Sequence, residues 1–250
     1  MAASHGVLVL AGATCSGKTA LAIELAERFG AEIVGADSRQ IYRGMAIGTA
    51  APPASDRARV PHHLVDFLEP HERYSAARFS GDAVAAIGAI HARGKRAIVA
   101  GGTGFYVRAL TGDVALSAAF DEALRARLAR EARVHPPEVL HAWLAVRDPA
   151  RAAMLEPQDR YRVARALEIA LAPRGDAAVS VAARPATLRS AGLPFLKVAL
   201  DVDPALVDAR VAERVDRMLA AGLLDEAERI GPDAVAADAV GYPQALAFLA

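Results

Sequence analysis

The chain has 250 residues, 54% of them hydrophobic and 23% charged, with a formal net charge of zero. That length holds one or two ordinary domains and that composition buries a sizeable core, which excludes disorder as a general state. Neutrality means that a nucleic-acid partner must be met by locally concentrated Lys and Arg, and the single cysteine, Cys15, excludes an internal disulfide or a cysteine zinc site and fits a reducing, cytoplasmic setting.

The first element is a short apolar run, Gly6–Ala11. No Lys or Arg precedes it and it leads into a glycine loop, so it reads as a first strand rather than a signal peptide. No stretch reaches the roughly 20 apolar residues that a membrane span requires. The loop is Gly12-Ala13-Thr14-Cys15-Ser16-Gly17-Lys18-Thr19, a match to G-x-x-x-x-G-K-[ST] between strand and helix. Glycines let successive backbone N–H groups turn onto one anion, and the helix N-terminus adds positive potential. Lys18 supplies a point charge, and the Thr19 hydroxyl can ligate Mg²⁺. Such a loop serves a kinase, an NTPase or a diphosphate-using transferase equally well.

A helix is predicted over Thr19–Phe29, closed by Gly30, and a strand over Ala31–Ala36. Asp37 follows at the carboxyl end of that strand, where open α/β sheets build their sites. A carboxylate there can ligate Mg²⁺ through water, act as a base, or merely cap a turn. The next predicted strand is His63–Leu68. His62 and His63 are adjacent, so on a strand they face opposite sides and do not form one metal site. A helix over Ala76–Arg93, closed by Gly94, leads to a strand over Arg96–Ala100. The glycines around Thr103 in Gly101-Gly102-Thr103-Gly104 suggest either close backbone approach to a ligand or a flexible turn. Alternation of strand and helix implies an α/β fold with a parallel sheet.

From about Asp113 to Leu193 the pattern turns helical in ALRARLAREA, PEVLHAWLAV and RYRVARALEIAL, which reads as an insertion into the core. Trp143 reads as a core residue of that insertion. Arg125, Arg127, Arg130, Arg133, Arg160, Arg162 and Arg165 make it locally basic, either a solvated helix face or a grip on nucleic acid. Ala177–Pro194 reads as a returning loop, Phe195–Val202 as a strand and Pro204–Ala250 as helical. The predicted division is therefore a core over 1–112, an insertion over 113–193 and the rest of the core over 194–250.

Several longer motifs carry a resemblance. The phosphate loop, DSRQIYRGMAIGT (Asp37–Thr49), VPHHLVDFLEP (Val60–Pro70), YSAARF (Tyr74–Phe79), GGTGFYVRAL (Gly101–Leu110), RYRVARALEI (Arg160–Ile169), RVDRMLAAGLLDEA (Arg214–Ala227) and GYPQAL (Gly241–Leu246) occur in the order and spacing of bacterial tRNA dimethylallyltransferases. Nearly the whole chain resembles that family. The resemblance implies a P-loop NTPase-like parallel sheet flanked by helices, with a helical insertion domain. It implies transfer of a dimethylallyl group from dimethylallyl diphosphate to N6 of the adenine 3′ to the anticodon, with Mg²⁺, in an enzyme expected to be a monomer. Gly12, Ala13, Thr14, Cys15, Ser16, Gly17, Lys18 and Thr19 would hold the diphosphate, with Arg214 neutralising it. Asp37 would take the proton from the amine, with Thr103 and Lys18 at the reacting centre. Ser38, Arg39 and Gln40 would contact the extruded adenine or its neighbours, and Arg125, Tyr161, Arg162, Val163, Ala164 and Arg165 would touch the anticodon stem-loop. The chain departs from the family at Ala46 and Ala51, where Asp and Lys are usual. It also ends at GYPQALAFLA, where the family usually continues into a basic segment. The competing readings are an adenylate isopentenyltransferase acting on free AMP, a P-loop kinase of a small metabolite, and a non-catalytic RNA binder.

Overall fold

The computed structural model describes residues 5–114, 116, 122–171 and 185–250. The chain divides into two compact units, 1–116 with 185–250, and 117–184. Part of the predicted returning loop, 177–184, lies outside the described residues. Residues 185–193 group with the core, where Leu188 is fully buried and its N–H donates to the Leu110 carbonyl at 2.8 Å.

The core is built on a five-stranded parallel sheet: β1 (Val7–Gly12), β2 (Ala31–Gly35), β3 (His62–His63), β4 (Arg96–Ala100) and β5 (Phe195–Leu200), in spatial order β3-β2-β4-β1-β5. Apolar runs suit β1, β2 and β4 because helices cover both of their faces, whereas β5 at the sheet edge leaves Leu196 exposed. Leu10, Ile33 and Ile98 pack against Ala22, Ile23 and Ala26 of α1 (Lys18–Phe29). Val7, Val9, Ala97 and Val99 pack on the other side against Phe79, Ala83, Ile87 and Val107. Those residues come from α3 (Ala76–Ala92) and α4 (Gly104–Thr111), while α2 (Ala54–Arg59) is a short helix ahead of β3.

The predicted strand over His63–Leu68 is not formed as such. Only His62 and His63 pair with β2, and Leu68 bridges Tyr42 instead. Leu64 and Asp66 take left-handed φ of 57° and 56°, which ends a strand whatever its hydropathy. The two histidines do diverge: His62 Nδ1 lies 2.7 Å from the Val60 carbonyl, and His63 Nε2 lies 2.7 Å from Glu32 Oε2. Arg93 shares that buried Glu32 at 2.6 Å, so the carboxylate in β2 is fully matched.

Strands β2 and β4 meet tightly at their carboxyl ends. A Cβ on Gly101 would lie 2.1 Å from the Ala36 carbonyl oxygen, so only glycine permits this approach. Gly101→Ala is expected to part the strand ends at a cost of about 1–3 kcal/mol, seen as a lower melting temperature together with reduced turnover. An unchanged melting temperature would show that the strand ends can yield.

The second unit holds α5 (Glu122–Val134), α6 (Pro137–Arg147), α7 (Pro149–Ala152) and α8 (Arg160–Leu171). Leu128, Leu140, Leu144, Val163 and Leu167 form its core. Trp143, read from sequence as core, is 39% exposed and meets His135 edge-on at 5.5 Å, because Leu140 and Leu144 already occupy the inward face of α6. The core unit closes with α9 (Pro204–Ala220), α10 (Leu223–Ile230) and α11 (Tyr242–Leu249). Among the described residues no helix is long and apolar enough to cross a membrane.

Candidate active site

Parallel pairing brings the carboxyl ends of β1, β2 and β4 to one edge of the sheet, so the loops after them meet. Ala36 N–H donates to the Ala100 carbonyl at 2.9 Å, and Thr103 N–H to the Ala36 carbonyl at 3.2 Å. The phosphate loop, Asp37 and Thr103 are thereby placed together.

The loop turns at Cys15 and Gly17, with φ of 61° and 89°. Gly17 opens α1 without a side-chain cap, leaving the first N–H groups of a 12-residue helix directed at the cradle. Lys18 is 9% exposed, and its ammonium donates to the Gly12 and Ala13 carbonyls at 2.9 and 2.5 Å and to Ser16 Oγ at 3.3 Å. Burial pushes the lysine pKa down; the neighbouring Asp37 carboxylate pulls it back up. Thr19 is exposed, and its hydroxyl makes no hydrogen bond among the described residues. It borders a cavity of about 20 Å³ shared with Gln40, His62 and Val65, room for a water molecule but not for a five-carbon chain.

Two arginines of α9 reach the cradle. Arg214 donates to the Thr49 carbonyl at 3.3 Å and lies 3.9 Å from Cys15 Sγ, beside the loop. Arg210, which sequence reasoning missed, donates to the Cys15 carbonyl at 3.2 Å. Its spacing from Arg214 is the available signal, since residues four apart share a helix face.

Asp37 uses its two oxygens differently. Oδ1 accepts from the N–H groups of Arg39 at 2.9 Å and Gln40 at 3.4 Å, a turn that fixes the carboxylate. Oδ2 accepts no hydrogen bond among the described residues, and a Cβ built on Gly102 would lie 3.4 Å from it. Thr103 Oγ1 accepts from Ser38 N–H at 2.9 Å and donates to Ser38 Oγ at 3.2 Å. The Arg39 guanidinium pairs with Asp238 at 2.5 Å, and Gln40 Nε2 donates to the Thr49 and Ala50 carbonyls at 3.2 and 3.0 Å.

The turn that supplies those carbonyls is held from the far end of the chain. Buried Glu226 accepts from Ile47 and Gly48 N–H at 3.0 and 2.8 Å and from the Tyr242 hydroxyl at 2.6 Å. Burial, and then the hydrogen bond to Glu226, push the Tyr242 pKa up. A Cβ on Gly48 would lie 2.6 Å from the Tyr242 ring. The motifs around Met45–Thr49, Leu223–Ala227 and Gly241–Leu246 are thus one assembly. The departures at Ala46 and Ala51 fall on this turn, joined by a 3.0 Å backbone bond, so both charges usual in the family are absent from one place.

In the second unit, Arg125 and Arg165 converge on Glu168 at 3.2 and 2.7 Å. Tyr161 is 82% exposed, and Arg162, also exposed, pairs with Asp159 at 3.2 Å. Ala164 is half-buried, and Val163 is fully buried, so the valine side chain packs the helical core.

A lysine-headed anion cradle at the start of a helix is how a P-loop α/β enzyme grips a phosphorylated donor, and this sheet carries one. Comparison with known proteins narrows the class: the chain belongs to the IPP transferase family, which matches residues 40–250, while the family described as isopentenyl transferase matches residues 5–61. A tRNA dimethylallyltransferase of Anaeromyxobacter sp. (strain K) is 49% identical over 247 residues, covering 97% of this chain and 80% of that protein. The corresponding protein of Burkholderia ambifaria is 46% identical, covering 97% and 78%. Among solved structures, the full-length tRNA isopentenylpyrophosphate transferase of Bacillus halodurans superposes with a TM-score of 0.64 at 34% identity, covering 98% of this chain and 77% of that one. A eukaryotic dimethylallyltransferase captured acting on tRNA gives a TM-score of 0.69 at 29% identity, covering 91% and 56%.

Proposed function

We propose that this chain transfers the dimethylallyl group of dimethylallyl diphosphate to N6 of the adenine 3′ to the anticodon in tRNA. The observation that carries the reading is the pairing of an anion cradle with a carboxylate that has one oxygen fastened and one open. Breaking the allylic C–O bond leaves its electron pair on the diphosphate oxygen, where loop N–H groups, Lys18 and Arg214 offset the charge. Arg210 steadies the loop through Cys15. The amine nitrogen forms the new bond to the allylic carbon, and its proton passes to Asp37 Oδ2. Thr103, tied to Ser38, keeps the two sides of the site in register. The adenine must leave its stack to reach this pocket, which costs least in a loop. The exposed Tyr161 and the arginines of α5 and α8 supply the RNA-facing chemistry of the second unit.

Mg²⁺ fits the residues present. Among the described residues the Thr19 hydroxyl at the cradle makes no hydrogen bond, and no cluster of three acidic, His or Cys groups would hold a cation by itself. Thr19 together with phosphate oxygens is the ligand set Mg²⁺ accepts, and the bound ion would supply charge neutralisation to the leaving diphosphate.

Radiolabelled dimethylallyl diphosphate, offered with unmodified tRNA or with AMP, and labelled ATP offered separately, test the reading. Label is expected on tRNA, falling more than about 10-fold when divalent cations are chelated. Label on AMP, or phosphoryl transfer from ATP, would overturn it.

A further inference from the structure

Helix α4 begins beside Asp37, and residues three apart on it share a face. Thr103, at its start, is hydrogen-bonded to Ser38, so the face it shares with Tyr106 is turned toward the loop after β2. The Tyr106 ring is 5% exposed, stacked on fully buried Phe79 at 4.4 Å with 12° between planes, and set edge-on to Tyr74 at 6.4 Å. Packed this way, the ring has no room to swing.

Its hydroxyl differs from those of the neighbouring tyrosines. Tyr74 donates to Asp82 Oδ2 at 2.6 Å, and Tyr42 to the Glu72 carbonyl at 3.2 Å. The Tyr106 hydroxyl makes no hydrogen bond among the described residues, although it lies within electrostatic reach of Tyr42, Arg39 and Asp37. A phenol on a buried ring normally finds a partner. One held rigidly on the helix that begins at the Asp37 site, with no hydrogen-bond partner among the described residues, is placed for a ligand.

We infer that Tyr106 is a further contact to the acceptor base, donating its hydroxyl hydrogen to the ring nitrogen adjacent to the amine that Asp37 engages. The inference rests on the transfer reading above. Adenine presents an amine donor next to a ring-nitrogen acceptor. A carboxylate satisfies the amine, and the ring nitrogen then requires a donor. Burial pushes the phenol pKa up, so the group stays protonated at working pH. Guanine would set its carbonyl oxygen against the Asp37 carboxylate, leaving both without a hydrogen, so the Asp37–Tyr106 pair selects adenine.

Tyr106→Phe keeps the stack on Phe79 and removes only the hydroxyl. The test compares this variant with the unchanged enzyme on anticodon stem-loop RNAs carrying adenine, 1-deazaadenine or 7-deazaadenine at the target. On adenine, kcat/KM for RNA is expected to fall about 10- to 100-fold, with the KM for dimethylallyl diphosphate and the melting temperature unchanged. One of the two deaza substitutions should cost the unchanged enzyme a similar factor and cost the variant nothing more. Normal turnover by the variant, equal losses for both enzymes on both deaza substrates, or a melting temperature that falls with the rate would overturn the assignment. Failure of the unchanged enzyme to prenylate any of the RNAs would overturn the transfer reading, and the assignment with it.

Discussion

Asp37→Asn should slow prenyl transfer by about 10²- to 10⁴-fold, the range expected for loss of a general base, with little change in affinity for dimethylallyl diphosphate. Asparagine is the informative replacement because Asp37 has two jobs. Its Oδ1 holds the N–H groups of Arg39 and Gln40, and an amide oxygen accepts those bonds equally well. The open Oδ2 position becomes an NH₂ group that cannot take a proton from the amine. The turn therefore survives while proton removal stops. Asp37→Ala would lose both, and a slow alanine variant could reflect a collapsed turn. Rates and donor binding measured for both variants separate the two jobs. Near-normal turnover by Asp37→Asn would remove Asp37 as the base.

The residues that carry this chemistry differ in how plainly the sequence shows them. The cradle was legible because its requirements are local: a strand, a glycine-bearing turn and a lysine at the first residue of a helix, all within Val7–Phe29. The strands at Ala31 and Arg96 were legible because sheets covered on both faces demand unbroken apolar runs, and the one at Phe195 shows the same apolar run although it lies at the sheet edge with Leu196 exposed. His63–Leu68 looks the same in hydropathy, yet left-handed Leu64 and Asp66 break it, and such conformations at non-glycine residues leave no mark in an apolar pattern. Arg214 could be placed by resemblance, whereas Arg210 acts through a backbone carbonyl far back in the chain. Glu226 was the least legible. In LLDEA it reads as one more helix-surface acid, and its burial follows only from the docking of α10 against the turn at Ile47 and Gly48.

That distant contact makes Glu226→Ala the most damaging change expected outside the reacting centre. The carboxylate satisfies two backbone N–H groups and a buried phenol while itself only 3% exposed. Truncation strands the donors of Ile47 and Gly48, while Tyr242 can fall back on the Met45 carbonyl at 3.3 Å. Two orphaned, partly buried donors suggest a loss of about 3 kcal/mol, or a melting temperature lower by about 6–12 °C for a chain of this size. The effect should reach the site, because the freed turn carries the Thr49 and Ala50 carbonyls that position Gln40 and Arg214. Donor affinity should weaken along with stability, unlike the case of Asp37→Asn. Tyr242→Phe is the control: the ring still fills the space over Gly48 and the carboxylate keeps both N–H partners, so about 1 kcal/mol is expected. If Glu226→Ala melted like the unchanged protein, the turn would be held by packing and not by the buried carboxylate; if Tyr242→Phe were equally damaging, the stability would reside in the phenol hydroxyl and not in the two backbone N–H bonds.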